Sequence, residues 1–410
     1  MKCRHCGSPL TRVFADLGTA PASNAFLTRE QLAAPETFYP LRVLVCEACW
    51  LVQTEDYAAR EDLFSEDYVY FSSYSASWLA HAERLAERAI ARHGLDGDSL
   101  VVEVAANDGY LLQHFVARGI PCLGIEPTRS TAEVARAKGI EVIGRFFGRA
   151  LAQELVAAGR RADLLLGLNV LAHVPDINDF LLGVARLLAP EGAACFEFPH
   201  LCELTRGSQF DTLYHEHYSY LSLAALARIA PANGLALADA ERLPTHGGSL
   251  RLTLVRDDAR EITPSPGLHA LLEEERAAGI ETAAYYAGFQ AECERIRHDF
   301  LGFLLAERAA GRRVAAYGAA AKGNTLLNFA GVRSDLLAFV VDRNEHKQGR
   351  YLPGSRIPVR PVEAIDAERP DTILILPWNL REEVAAQLQH TRAWGARLYV
   401  AVPRVEEVGA

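Results

Sequence analysis

The chain has 410 residues, of which 50% are hydrophobic and 23% charged. This composition excludes a disordered, collagenous or low-complexity protein, and the length sets a prior of about two to four domains. The 52 acidic against 42 basic residues leave a net charge of −10, which argues against nucleic acid or an anionic membrane as a general electrostatic partner.

The first residues lack the apolar run of a secretory signal, and no window offers ~20 uncharged apolar residues, so a cytoplasmic protein is expected. In a reducing compartment paired cysteines bind metal or do redox work more often than they form disulfides. Four of the eight cysteines fall in two pairs, Cys3-x2-Cys6 and Cys46-x2-Cys49. Two such knuckles present four thiolates to one tetrahedral zinc ion, a closed shell that makes the site structural. The competing readings are unligated buried thiols or a redox pair, and the βαβ context of a thioredoxin-type motif is missing. His5 reads as a solvated neighbour. Residues 1–60 otherwise read as short strands and turns, with Leu41 to Val45 as a strand, and a core this small needs a staple.

An amphipathic helix is expected from about Ser75 to His93. From Ser99 the pattern alternates: a strand at Leu100 to Val104, a small-residue loop at Ala105 to Gly109, a helix from Tyr110 to Arg118, and a strand at Cys122 to Glu126. Strands follow at Asp163 to Leu168 and Ala193 to Phe198. This is an α/β signature with a mainly parallel sheet. The segment Glu103-Val-Ala105-Ala-Asn107-Asp-Gly109 brings a ligand to the carboxyl end of the sheet, where doubly wound folds bind ligands. Glu126 ends the next strand, where a carboxylate can accept both ribose hydroxyls of an adenosyl group. No Gly-x-Gly-x-x-Gly is present, and a carboxylate-bearing loop suits a cofactor with a cationic amino-acid tail, S-adenosylmethionine rather than NAD. Asn169 ends a later strand at the same crevice, and His173 beside it reads as structural.

Residues 210–222 concentrate His215 and His217, Glu216, and Tyr214, Tyr218 and Tyr220. So many polar tips are hard to bury without partners. The cluster reads first as proton chemistry, with metal binding and structural hydrogen bonding as the alternatives. His246-Gly-Gly-Ser-Leu-Arg251 suggests close backbone approach between a His and an Arg. A long helical stretch, roughly 267–310, leads to a third region that repeats the strand, loop, helix pattern: Arg313 to Tyr317, Gly318-Ala-Ala-Ala-Lys322-Gly323, a helix start from Asn324 to Phe329, then strands at 337–342, 372–376 and 397–401. The Gly318 to Gly323 loop matches neither standard phosphate motif. It is either a diphosphate-holding turn with Lys322 adding charge or a tight strand-to-helix turn.

The four N-terminal cysteines, the Asn107-Asp-Gly109-Tyr loop, Tyr214-x-Glu216-His217, His246-Gly-Gly and Tyr317-Gly-Ala-x-Ala-Lys322 occur here in the order in which they occur in the nucleotide-sugar C-methyltransferases, and the chain resembles that family over its whole length. The resemblance implies a zinc-binding domain at 1–70, an S-adenosylmethionine domain of Rossmann-like fold at 71–255, and a helical linker with a second Rossmann-like, nucleotide-sugar-binding domain at 256–410. It implies methyl transfer to the carbon α to the ketone of a nucleotide-linked keto-deoxysugar, with thymidine diphosphate as the nucleotide and C3 favoured over C5. Its candidate catalytic residues are His217 as base, with Tyr214 and Glu216. The candidate cofactor residues are Glu103, Ala105, Asn107, Gly109, Glu126, Pro127, Phe147 and Asn169. The candidate substrate residues are Tyr68, Tyr70, His246, Arg251, Tyr317, Lys322 and Asn324. Arg145 stands where some relatives carry an acid that could meet the adenine. A monomer is expected. O- or N-methylation, and less favourably an NAD-dependent nucleotide-sugar oxidoreductase, are the rivals.

Overall fold

A computed structural model describes residues 1–57, 71–259 and 262–409. Tyr68 and Tyr70 lie outside the described residues. The architecture is α/β, organised around three sheets.

The first sheet is antiparallel, in the order Arg12–Ala20, Tyr39–Val45, Val52–Thr54 and Ser219–Tyr220. Its central strands are buried on both faces from Val43 to Val45 and from Val52 to Thr54, whereas Arg12–Ala20 leaves Val13, Asp16 and Thr19 exposed. Successive side chains point to opposite sides, so Leu44 joins the core that holds Cys3, Cys46, Cys49, Val102 and Leu226. Val43 and Val45 join the core on the other side, with Phe14, Phe210, Phe289 and Leu326. Phe14 stacks on Phe289 with ring centroids 4.2 Å apart. At about 1.5–3 kcal/mol for each large apolar side chain buried, this small sheet is held by its neighbours more than by its own interior.

The second sheet runs Leu235–Leu243, Ser249–Arg256, Leu188–Pro199, Ala162–Leu168, Val101–Val104, Cys122–Ile125 and Glu141–Ile143. Its five last-named strands are parallel to one another, and the first two close the edge as an antiparallel hairpin. Helix Ala76–His93 lies against it. The Ser75 hydroxyl caps that helix by accepting from the Trp78 amide, Gly94 in the left-handed region ends it, and Trp78, Ala82, Leu85, Ala86 and Ala89 form its buried stripe. The third sheet has the order Val359–Arg360, Val340–Val341, Val314–Tyr317, Thr372–Ile375, Arg397–Val400 and Glu406–Glu407, with only the last strand antiparallel.

Two expectations need correction. The stretch at 267–310 is not one helix but two, Pro266–Ala277 and Phe289–Ala309. Gly279 at φ +82° and Gly288 at φ +88° break it, and Ile280 and Tyr286 between them turn inward to be buried. An Ala- and Glu-rich composition hid these two left-handed positions. The helix expected from Tyr110 to Arg118 is shortened to Leu112–Val116, because the cofactor-facing loop runs on to Leu111.

The zinc expectation fits the geometry. The four cysteine sulfurs lie within 4.8 Å of one another, with Cys3 to Cys49 and Cys6 to Cys46 both 3.5 Å, close to the ~3.8 Å edge of a tetrahedron built on ~2.3 Å Zn–S bonds. Cys3 is lowered to about 4 by its contact with the Cys49 thiol and also accepts from the Gln53 amide. The Gln53 that touches this sulfur also lies in the third strand. Removing the metal with a chelator, or Cys49→Ser, is therefore expected to lower the melting temperature and to increase hydrogen exchange in Val52–Thr54 and Ser219–Tyr220, while the parallel strands Val101–Val104 and Ala162–Leu168 stay protected. Equal loss of protection throughout would contradict this.

Candidate active site

The second and third sheets face each other across a cavity of about 1370 Å³. The carboxyl ends of their parallel strands open onto it, as doubly wound folds require. On one side stand Ala105, Asn107, Glu126, Pro127, Phe147 and Asn169, and on the other Tyr317, Lys322 and Trp378. Tyr214, His217 and His246 line the space between.

The cofactor-facing loop is built from left-handed turns. Ala105, Asn107 and Asn169 all have positive φ, between 49° and 57°. These conformations turn side chains and amides toward the crevice instead of continuing the strands. Glu126 is buried at the end of its strand. It accepts from the Asn107 amide at 2.9 Å and the Thr128 amide at 2.8 Å, and burial raises its pKa above the usual carboxylate range. The Thr128 hydroxyl also donates to it, and since a carboxylate has about four acceptor sites, about one, on Oε2, remains for a ribose hydroxyl. The buried Asn169 Oδ1 has no partner among the described residues, while its Nδ2 donates to His246 Nε2 at 3.1 Å. An orphaned acceptor on this wall fits the cationic tail of S-adenosylmethionine. Arg145 is engaged with Glu154 at 2.5 and 3.0 Å, so this position offers no acid to an adenine.

The segment around His217 is tied at nearly every residue to the N-terminal sheet. His215 Nε2 donates to the Pro40 carbonyl at 3.2 Å. Glu216 accepts from Asn24, backbone at 3.1 Å and side chain at 3.3 Å. The Thr54 hydroxyl donates to the His217 carbonyl, and the Thr54 amide to the Tyr218 carbonyl at 3.2 Å. His217 Nδ1 then donates to the Thr212 carbonyl at 3.0 Å. That contact puts the proton on Nδ1 and leaves Nε2 as an acceptor, which takes the Tyr214 hydroxyl at 2.8 Å.

Three imidazoles share this part of the cavity, and burial keeps all three neutral. His217 is lowered well below 6.5 by desolvation and then by His173. His173 falls to about 4 by burial, with its Nδ1 donating to the Glu216 carbonyl at 2.7 Å. His246 falls to about 4 by burial and by the charge of Lys322. The His173 and His217 rings are 4.6 Å apart. Sequence reading took His173 as structural. Its place in a Leu-Ala-His-Val-Pro run after a strand end was the signal available.

Not every candidate reaches the cavity. Glu103 is wholly buried beneath the loop, its pKa raised well above normal by desolvation and by Asp108 and Glu126. Gly109 serves packing: a Cβ there would lie 2.4 Å from Ile140 Cδ1 and 3.2 Å from Ala135 Cβ. Glu216 accepts from Asn24 and is not among the residues that line the cavity. Asn324 is buried with its Nδ2 donating to the Ser23 carbonyl at 2.6 Å. Arg251 lines the cavity, but Glu197 and Glu241 clamp its guanidinium. The Gly318 to Gly323 segment joins strand Val314–Tyr317 to helix Ala321–Ala330, and two of its amides are already used, Gly318 on the Val341 carbonyl at 2.7 Å and Ala319 on the Asp342 carboxylate at 2.7 Å.

Three family models match in succession: a zinc binding domain over residues 3–64, a methyltransferase domain over 78–240, and a C-methyltransferase C-terminal domain over 244–403. The C-methyltransferase NovU of Streptomyces niveus is 34% identical over 409 residues, covering 100% of this chain and 97% of that protein. A ubiquinone biosynthesis O-methyltransferase of Azorhizobium caulinodans is 28% identical over 93 residues, 22% of this chain and 37% of its own. The magnesium protoporphyrin IX methyltransferase of Synechocystis PCC 6803, solved with bound SAH, is 20% identical with a TM-score of 0.36, covering 44% of this chain and 83% of that one.

Because Gly109 combines φ +74° with a filled space, Gly109→Ala is expected to destabilise the fold by about 1–3 kcal/mol and to weaken S-adenosylhomocysteine binding by displacing Asn107. Urea melts and calorimetric titration check the two effects, and an unchanged midpoint would remove the packing role.

Proposed function

The chain belongs to the S-adenosylmethionine-dependent C-methyltransferases, and from that premise we propose that it methylates the carbon α to the ketone of a nucleotide-linked keto-deoxysugar, with thymidine diphosphate as the nucleotide and C3 of a 4-keto sugar as the acceptor carbon. The observation that carries the reading is the state of His217. It is a neutral imidazole whose proton is fixed on Nδ1 by the Thr212 carbonyl and whose Nε2 acceptor opens on a cavity between the cofactor wall and the C-terminal sheet.

A carbon next to a ketone is acidic because its carbanion delocalises onto oxygen, and a buried neutral base is what its removal needs. His217 Nε2 takes the α-proton once Tyr214 gives up its hydrogen bond to that nitrogen and turns to the sugar. His173, held by the Glu216 carbonyl, keeps the His217 ring in place from its other side. S-adenosylmethionine supplies the electrophilic methyl when bound. Glu126 holds its ribose, with Ala105, Asn107, Pro127, Phe147 and Asn169 lining the rest of its wall. Glu103 acts from below, by supporting the loop. His246, Tyr317 and the Trp378 wall face the sugar nucleotide. Arg251, Glu216 and Asn324 serve as scaffold: Glu197 and Glu241 clamp Arg251, Glu216 Oε1 accepts from Asn24, and Asn324 Nδ2 donates to the Ser23 carbonyl. In this reading the zinc ion has no chemical part, residues 1–70 frame the His217 segment, 71–255 hold the cofactor and 256–410 the sugar nucleotide. We place the enzyme in the cytoplasm as a monomer, on free paired thiols that a reducing compartment preserves and a cavity completed within one chain.

Labelled S-adenosylmethionine assayed against a panel of nucleotide keto-sugars, with NMR of the product, tests acceptor and position together. Methyl on oxygen or nitrogen, or no transfer to any keto-sugar, would overturn the reading. His217→Ala is expected to lower both methyl transfer and solvent exchange of the α-proton by roughly 10²–10⁴-fold while S-adenosylhomocysteine affinity holds. The pH dependence has a definite sign. A base acts deprotonated, and burial depresses His217, so the acid limb of kcat is expected to fall below the ordinary imidazole value of about 6.5. A limb above it would mean that another group titrates.

A further inference from the structure

Deprotonation next to a ketone leaves a negative charge on the carbonyl oxygen, and three imidazoles kept neutral by burial are poorly equipped to receive it. The cation beside them is Lys322. It stands in the first turn of helix Ala321–Ala330, faces the cavity, and donates from Nζ to Asn379 Oδ1 at 2.8 Å, with Nζ 4.4 Å from the centre of the Trp378 ring. Trp378 is fixed in turn: its Nε1 donates to Asp211 Oδ2 at 2.8 Å. Asp211 immediately precedes Thr212, whose carbonyl holds His217 Nδ1. One 3-10 turn, Phe210–Thr212, therefore positions the proton acceptor with one residue and the stacking partner of the cation with the next.

The expected alternative, that Lys322 grips a diphosphate, is poorly served. The two amides that open its loop, Gly318 and Ala319, are spent on the Val341 carbonyl and the Asp342 carboxylate, and that carboxylate sets a negative charge against the loop. The charge of Lys322 is instead felt at His217 and His246.

We propose that Lys322 is a further catalytic residue, an oxyanion-binding ammonium that hydrogen-bonds the sugar's carbonyl oxygen while His217 removes the α-proton. This rests on the keto-sugar reading above. The step balances within the site: the α C–H bond breaks, its proton goes to His217 Nε2, its electron pair forms the carbon–carbon double bond, and the carbonyl π pair moves to the oxygen that Lys322 holds. An ammonium with three donors can keep Asn379 and still serve that oxygen. Burial lowers Lys322 to about 8, with Asp211 opposing the shift, so the cation prevails at neutral pH. The other titratable groups facing it are Asp211, raised to about 6 by burial, and the imidazoles of His217 and His246.

The test uses the full-length enzyme with S-adenosylhomocysteine and keto-sugar nucleotide in deuterium oxide, following wash-in at the α-carbon by NMR, and in parallel titrates thymidine diphosphate by calorimetry. Lys322→Met is expected to slow wash-in by roughly 10²–10³-fold, the usual cost of one oxyanion donor, with thymidine diphosphate affinity within about 2-fold of wild type. Wash-in close to the wild-type rate, or a large loss of diphosphate affinity with wash-in preserved, would overturn the proposal in favour of a phosphate grip. Lys322→Arg keeps the cation without a usable base and is expected to retain part of the wash-in. If it abolishes wash-in as fully as Met while melting like wild type, Lys322 is itself the base and the proposal fails. No α-proton exchange in wild-type enzyme that methylates another acceptor would instead defeat the underlying keto-sugar reading.

Discussion

The structure depends on a pairing of two short strands far apart in the chain. Val52–Thr54 belongs to the sheet stapled by the cysteines, and Ser219–Tyr220 follows the His217 segment directly. Two backbone ladders and the Thr54 hydroxyl on the His217 carbonyl transmit the rigidity of the cysteine cluster to the imidazole without any contact between metal ligands and cavity. A closed four-thiolate shell has no open position for chemistry, but it need not be idle. It orders a sheet too small to order itself, and that sheet holds a loop whose polar side chains would otherwise find partners elsewhere.

Electrostatics inside the cavity follow from the same enclosure. Desolvation penalises every charge, so His173, His217 and His246 are neutral and Asp211 and Lys322 are both pushed toward neutrality. Charges that persist are paired, as Arg251 is with Glu197 and Glu241, and Glu197 also hydrogen-bonds His81 at 2.7 Å. The result is a region of low charge density between two walls that are each rich in hydrogen-bonding groups, a setting in which one cation or one proton transfer has a large effect.

Much of this is written locally in the chain. The cysteine spacing specifies a ligand set because coordination geometry leaves few alternatives, and the parallel strands are legible as apolar runs ending in small residues and an acid. Glu126, Asn107 and Asn169 are found on the cavity wall for that reason. What local pattern cannot show is which way a polar residue turns once its neighbours from other elements arrive. Glu216 sits beside His217 in sequence yet turns to Asn24, Arg251 meets Glu197 only where its strand pairs with Leu188–Pro199, and Asp342 claims the Ala319 amide from the next strand. The two helices at 266–309 separate for a similar reason, since Gly279 and Gly288 matter only through the buried Ile280 and Tyr286 between them.

The fourth strand of the small sheet bears on how such a protein can be rearranged. Its partner lies more than 160 residues earlier, so the pairing closes a long loop and the imidazole acquires its final surroundings only after both ends of that loop exist. The N-terminal unit is consequently not a detachable module, although its cysteines suggest one. Exchange of that unit between relatives by recombination must carry the Tyr214 to Tyr220 segment with it, or preserve both sides of the strand pairing, and the two stretches are expected to have diverged as one heritable unit interrupted by the five parallel strands of the Rossmann-like sheet.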